Sequence, residues 1–75
     1  MIRKWLFDIR LSEDKTQEYV ANKVKITQQF YSAIEAGERR PSPEKAKEIS
    51  KALNFHKYGF KWTKFYENGD GIEKS

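Results

Sequence analysis

The sequence predicts an all-α domain, and three features of its residue pattern support that fold class. Apolar residues recur near the N-terminus with the spacing of one helix face; these are Ile2, Trp5, Leu6 and Ile9. Hydroxyl residues suited to helix N-caps stand before three later segments, namely Thr16, Thr27 and Ser42. Gly37 follows the second of these segments and tolerates the positive φ with which many helices end.

The composition indicates one small globule with a thin core. The 75 residues allow one domain, with 37% hydrophobic and 35% charged residues. Aromatic residues make up 15% of the chain and partly compensate, because each buries a large area. There is no cysteine and His56 is the only histidine, which excludes disulfides, thiolate metal sites and a zinc site built on several imidazoles. We therefore expect no metal and no cofactor.

The charge and the N-terminal segment restrict the partners. The net charge of +4 and the isoelectric point near 9.4 suit a polyanion but do not by themselves prove one. Asp8 and Arg10 interrupt the apolar residues of the N-terminus, so this segment is neither a signal peptide nor a membrane span. We expect a cytoplasmic protein. An enzyme is not expected, because His56 has no nucleophile motif near it and no glycine-rich phosphate loop is present.

The stretch from Thr16 to Gly37 predicts two short helices joined by a tight turn. Thr16 is an N-cap for a helix over residues 16–23, and residues 24–26 form the turn. Thr27 is the second N-cap, and a helix follows over residues 28–36. Two short helices joined in this way are a helix-turn-helix.

The segments on either side complete the helical pattern. A first helix is predicted over residues 2–11, and a fourth helix begins with Ser42 as its N-cap and Pro43 in its first turn. The predicted buried residues of the third and fourth helices are Tyr31, Ile34, Ala46, Ile49 and Leu53. Phe30 either covers the edge of the core or lies exposed. Phe7 lies off the stripe of the first helix, where it could meet the C-terminal segment.

The chain resembles the helix-turn-helix domains of the Cro/C1 (XRE) class over residues 5–55. The matching residues are Arg10, Thr16-Gln17-Glu18, Val20-Ala21, Ile26, Gln28-Gln29, Ile34-Glu35, Gly37, Arg39, Pro41-Ser42 and the run from Ala46 to Leu53. The resemblance implies a compact, lambda-repressor-like bundle of about five short helices. It makes residues 1–67 a DNA-binding domain, with an aromatic tail over residues 58–67 packed on it. Residues 68–75 are expected to be a flexible end.

The resemblance also implies base contacts from the third helix, which would enter the major groove of DNA. The predicted base-contacting residues are Gln28, Gln29, Ser32 and Ala33. A glutamine amide carries a donor and an acceptor, which matches N7 and N6 of adenine. The bland alternative is a solvated glutamine pair, which is common on any helix.

Phosphate contacts are predicted as well, and the resemblance implies one structural ion pair. The predicted phosphate-contacting residues are Gln17, Lys25, Arg39 and Arg40. Gln17 resembles a family glutamine that binds a phosphate and also supports the first base-contacting glutamine, here Gln28. Lys25 stands where the family usually has glycine, which predicts a positive φ; the lysine either contacts a phosphate or only tolerates the strain. Arg10 is expected to pair with Glu35.

The function implied is sequence-specific binding of double-stranded DNA by a transcriptional regulator, most simply a repressor acting as a homodimer on a palindromic operator. The tail aromatics, Trp62 and Phe65 among them, are candidate contacts in such a dimer. A different class stays open, because a helix-turn-helix can also serve as a protein-interaction adaptor. An antitoxin that binds both DNA and a protein partner is the third reading.

Overall fold

In a computed structural model of the protein, residues 2–67 are described, and they form four α-helices followed by two short 3-10 helices. The α-helices are α1 (Lys4–Ser12), α2 (Gln17–Val24), α3 (Gln28–Glu35) and α4 (Pro43–Ala52). The 3-10 helices are Phe55–Tyr58 and Trp62–Tyr66. The described residues contain no strand, and the predicted all-α class is confirmed. The expected flexible end at residues 68–75 lies outside the described residues.

Local capping sets the starts of three helices as the sequence predicts. Each N-cap hydroxyl accepts a hydrogen bond from the backbone N–H three residues on. The caps are Thr16, Thr27 and Ser42, with oxygen–nitrogen distances of 3.0, 3.0 and 3.2 Å. Lys25 ends α2 with a φ of 63°, which confirms the predicted positive φ. The ammonium of Lys45 donates to the carbonyl oxygen of Val24 at 2.8 Å and so ties α4 to the last residue of α2.

The start of α1 differs from the prediction. The helix begins at Lys4, so Ile2 lies before it and does not follow the helical periodicity. Ile2 is 64% exposed, and its expected place in the buried stripe was wrong. Leu6 and Ile9 are buried as predicted. The preceding residue, Arg3, is buried instead, and its backbone N–H donates to the carbonyl oxygen of Glu35 at 2.8 Å.

The core lies between α1 and the helix-turn-helix on one side and α4 with the tail on the other. Tyr31 and Ile34 are fully buried as predicted, and Phe30 is partly buried at the edge of the core. The stripe of α4 is buried as well, at Ala46, Ile49 and Leu53. Two aromatic residues of the C-terminal segment, Phe55 and Phe65, complete the core.

The aromatic tail packs on α1 through Trp5. The ring of Trp5 meets three other rings edge-on, with centroid distances of 5.6 Å to Phe55, 5.8 Å to Phe60 and 5.1 Å to Phe65. Phe65 has no exposed surface, so it is not available as a dimer contact and that prediction was wrong. The physical reason is that the core is thin and the Phe65 ring fills part of it. Phe7, for which a contact with the C-terminal segment was considered, lines a groove with residues of α2 and α3.

Glu13 joins the end of α1 to the first 3-10 helix. Its carboxylate accepts hydrogen bonds from the Tyr58 hydroxyl and from Asn54 Nδ2 at 2.9 Å, and an ion pair with Lys57 Nζ at 3.0 Å completes the set. These three donors, Tyr58 first, lower the pKa of Glu13 to about 2. The junction therefore depends on an ionised carboxylate.

Candidate nucleic-acid interface

A buried ion pair between Arg10 and Glu35 fixes α3 against α1. Arg10 Nε donates to Glu35 Oε2 at 2.6 Å, and Nη2 donates to Oε1 at 3.1 Å. The two side chains are only 10% and 6% exposed. A paired guanidinium and carboxylate in this fork geometry make two charge-assisted hydrogen bonds at once. The hydrogen bond to Glu35 raises the pKa of Arg10 above its usual value.

The same carboxylate also binds α2 and the interior of α3. The Tyr31 hydroxyl donates to Glu35 Oε2 at 2.8 Å, and Gln17 Nε2 donates to Oε1 at 3.0 Å. Burial, with the Glu35 charge beside it, holds the pKa of Tyr31 well above its usual value. Glu35 therefore accepts hydrogen bonds from residues of three helices, and this arrangement orients α3 relative to α1 and to the start of α2. Gln17 donates to Glu35 here and not to a recognition glutamine as its resemblance suggested.

The residues predicted to contact bases lie along one side of α3. Gln28 and Gln29 are exposed in its first turn, and Ser32 and Ala33 are partly exposed one turn later. Counted from Gln28, the other three residues lie at positions i+1, i+4 and i+5. Since an α-helix has 3.6 residues per turn, these positions form a strip on one side of the helix. Donors and acceptors of two amides and one hydroxyl are thus available at the N-terminal end of α3.

Exposed cations lie on both sides of α3 along the chain. Lys25 is exposed in the turn before it, and Arg39 and Arg40 are exposed in the loop after it. The backbone N–H groups of Glu38 and Arg39 both donate to the carbonyl oxygen of Ala33, at 2.9 and 3.2 Å. The start of the loop is therefore fixed to the last turns of α3, and the backbone position of Arg39 follows from that of the helix.

Arg3 is a functional candidate that the sequence reasoning missed. Its guanidinium is buried and donates to the carbonyl oxygens of Ile34 and Arg39, the second at 2.8 Å. Arg3 lies 36 residues before Arg39 in the chain, outside any recognisable local motif. No signal in the N-terminal sequence distinguishes it from a solvated arginine.

A groove opens beside the predicted base-contacting strip. Its apolar walls are formed by Ile2, Phe7 and Ala36, while Gln17 and Ser32 are among its polar residues. Ile2 and Phe7 are exposed, at 64% and 37%. The groove thus shares two residues with the predicted DNA-contacting set but has an apolar surface.

Within residues 2–67, no group of three histidine, cysteine or acidic side chains is placed to hold a metal ion. No helix in this part of the chain is both long and apolar enough to cross a membrane.

Comparison with known families agrees with this geometry. The model of a helix-turn-helix family matches residues 6–59, which include the whole of α1 to α4 apart from the first residues of α1. The chain belongs to the XRE family of helix-turn-helix proteins. This is a family of DNA-binding transcriptional regulators, which are generally not enzymes.

A curated relative supports the XRE assignment. Over 68 residues the chain is 43% identical to a protein of Bacillus subtilis (strain 168) described as the uncharacterized HTH-type transcriptional regulator YqaF. The alignment covers 91% of this XRE-family chain and 83% of the relative. No solved structure gives a significant match.

Proposed function

We propose that this XRE-family protein is a repressor that binds a palindromic operator by inserting α3 into the major groove. Residues 1–67 act as the DNA-binding domain, and the protein works in the cytoplasm as a homodimer on DNA. The observation that carries the proposal is the exposed Gln28-Gln29 pair at the start of α3, with exposed cations in the turn before the helix and in the loop after it. Residues at the N-terminal end of a recognition helix are those that reach base edges.

The contacts divide into two kinds. Gln28 and Gln29 read sequence, with Ser32 and Ala33 contributing one turn on, because an amide can make two hydrogen bonds to one adenine and a methyl group can meet thymine. Lys25, Arg39 and Arg40 bind phosphates, and phosphate contacts carry no sequence information. The Gln17 amide, at the start of α2, is the fourth phosphate contact once DNA competes with Glu35 for it.

Dimerisation on DNA follows from the size of the reading surface. One recognition helix contacts only a few base pairs, which is too few to specify a single site in a genome. Two copies related by a two-fold axis read half-sites about one helical turn apart, which makes the operator a palindrome. Repression then requires only that the bound dimer occupy DNA needed by the transcription machinery.

Selection of bound sequences from random duplexes, followed by binding measurements over a salt series, tests the proposal. Gln28→Ala should leave binding to random duplex nearly unchanged while losing about 1–3 kcal/mol of discrimination at one base position in each half-site. Arg39→Ala should weaken binding to all duplexes alike and reduce the slope of log affinity against log salt by about one unit.

Two results would contradict this function. If both variants lost affinity for the operator and for random duplex in the same proportion, the assignment of base contacts to the start of α3 would be wrong. A footprint that covers one half-site, with linear dependence on protein concentration, would contradict the dimer.

A protein-interaction adaptor or an antitoxin using the same fold is the second candidate, and the exposed Ile2 and Phe7 in the groove favour it. Apolar side chains at a rim with polar neighbours are typical of protein contacts. Failure of the wild-type protein to bind any duplex at low salt would give this candidate precedence.

A further inference from the structure

The loop after α3 is held by hydrogen bonds to its backbone at three places. We define the basic loop as residues 38–41. Its first part is fixed from α3, because Ala33 accepts from two of its N–H groups. The carbonyl oxygen of Arg39 accepts from Arg3 Nη1 at 2.8 Å, and that of Pro41 accepts from the Tyr66 hydroxyl at 2.5 Å. The second and third attachments come from outside the helix-turn-helix.

Arg3 reaches the basic loop from the N-terminal segment through the interior. Only 1% of its surface is exposed, and its guanidinium lies 5.5 Å from the ring centroid of Phe65. Besides Arg39 it donates to the carbonyl oxygen of Ile34, in the last turn of α3. That turn contains no basic residue of its own, although carbonyl groups at a helix C-terminus favour a nearby cation. Arg3 therefore provides the cation for the end of the recognition helix and for the loop together.

Tyr66 reaches the same loop from the aromatic tail. Its hydroxyl donates to Pro41, which is buried, and its ring lies 5.4 Å from the guanidinium of Arg40. Tyr66 thus contacts both the backbone of the basic loop and the side chain of one of its arginines. Arg40 is exposed as a residue, while the backbone of the next residue, Pro41, is fixed.

We propose that Arg3 and Tyr66 are positioning residues for the phosphate contacts of the basic loop. Neither needs to touch DNA. They hold the loop backbone in one conformation, so that Arg39 and Arg40 are presented to the phosphates without further ordering of the chain. This inference rests on the proposed DNA-binding function and adds that the N-terminal segment and the tail are parts of the phosphate-binding device.

The physical reason is pre-organisation. A backbone segment that must be ordered on binding subtracts its conformational entropy from the affinity. Loss of either attachment frees the loop in the unbound protein and leaves its arginines on the phosphates in only a part of the bound complexes, so that both the affinity and the salt slope fall whatever the base sequence. Positioning by Arg3 and Tyr66 therefore predicts a defect in phosphate contacts and none in base preference.

The central test uses Tyr66→Phe, which removes one hydroxyl and keeps the ring. Tyr58→Phe is the matched control, because the Tyr58 hydroxyl donates to Glu13 at the end of α1 and not to the basic loop. Both variants lose one tyrosine hydrogen bond of the folded protein. Affinity for the selected operator and for random duplex is measured over a salt series, with the folded fraction of each variant determined separately by circular dichroism.

Tyr66→Phe should bind operator and random duplex about three- to tenfold more weakly, which is the range for loss of one hydrogen bond. Its salt slope should fall by up to about one unit, since the loop arginines then neutralise less phosphate charge. Tyr58→Phe should keep the wild-type salt slope. Mere destabilisation lowers the concentration of folded protein but leaves the slope unchanged, so the slope separates positioning from a general structural role.

Arg3→Met, which keeps an apolar stem, should show the same fall in slope; if it does not fold, Tyr66→Phe decides the question. A wild-type protein that binds DNA, combined with a Tyr66→Phe salt slope equal to that of Tyr58→Phe, would overturn the inference and leave the proposed function intact. A wild-type protein that binds no duplex at low salt overturns the proposed function and this inference with it.

Discussion

Replacing Arg10 alone should destabilise the protein more than replacing Arg10 and Glu35 together, because the single change leaves a buried charge without its partner. In the folded protein Glu35 is 5% exposed and accepts four hydrogen bonds, two of them from Arg10. Arg10→Met leaves the carboxylate with the Tyr31 hydroxyl and the Gln17 amide as donors but without a countercharge. Leaving a buried charge unpaired costs about 3–5 kcal/mol, and the two remaining donors place this case near 3 kcal/mol.

The double variant Arg10→Met/Glu35→Gln should lose less, about 1–2 kcal/mol. The amide has nearly the shape of the carboxylate and still accepts from Tyr31, so that only hydrogen bonds between neutral groups and some packing are lost. A chain of 75 residues has a total stability of roughly 4–11 kcal/mol, so either change is a large share of it.

Urea unfolding followed by circular dichroism measures both effects. With an m-value of about 1 kcal/mol/M for a domain of this size, Arg10→Met should lower the midpoint by about 3 M. Lys4→Met is the surface control, because the Lys4–Asp8 pair is 3.2 Å long with side chains 78% and 54% exposed. Its effect should stay within about 0.5 kcal/mol. A midpoint for Arg10→Met equal to that of the wild type, or a double variant less stable than Arg10→Met, would refute the reasoning.

Three further predictions concern stability. Lys25→Gly should raise the free energy of unfolding by about 0.5–1 kcal/mol, because glycine adopts the φ of 63° without strain. Lys25→Ala keeps the Cβ and should give no gain. A lower melting temperature for the glycine variant would contradict this prediction. Glu13 has a folded-state pKa lowered to about 2 from 4.5, so its contribution is present above pH 4.5 and is lost as the pH falls toward 2. In the Glu13→Gln variant the urea midpoint should therefore vary less with pH across that range. A variant whose midpoint falls with pH as steeply as that of the wild type would argue against the junction with Tyr58. Tyr31 has a folded-state pKa raised above 10.0, so it stabilises the protein below that pH and the contribution declines above it. Tyr31→Phe should reduce the loss of stability above pH 10.0, and an equally steep loss would contradict this origin.

The local structure of the chain was largely predictable from the sequence because the interactions that set it span only a few residues. A cap hydroxyl bonds an N–H three positions away, so Thr16, Thr27 and Ser42 mark helix starts without knowledge of the fold. The buried stripe of α4 follows from its own periodicity in the same way. The family, and with it the helical bundle, follows from such features taken in combination.

Predictions about the interface depended on chemistry and resemblance. The exposure of Gln28 and Gln29 agrees with the side of α3 assigned to bases, and their contacts with DNA stay predictions. The resemblance related Arg10 to Glu35, and the structure places them 2.6 Å apart. The resemblance could not supply the further donors to Glu35, because these depend on how three helices converge on one carboxylate.

Only the tertiary structure decided which residues of the two chain ends enter the interior. Ile2 and Arg3 are adjacent, yet the apolar residue is exposed and the cation is buried. A local hydrophobic pattern predicts the opposite. The cation is buried because the carbonyl groups at the end of α3 and in the basic loop, 31 and 36 residues away, converge on its guanidinium. Phe65 is likewise interior, because its ring packs against the distant ring of Trp5 and against that of Phe55. Partners so far apart in the chain come together only when the whole fold is formed.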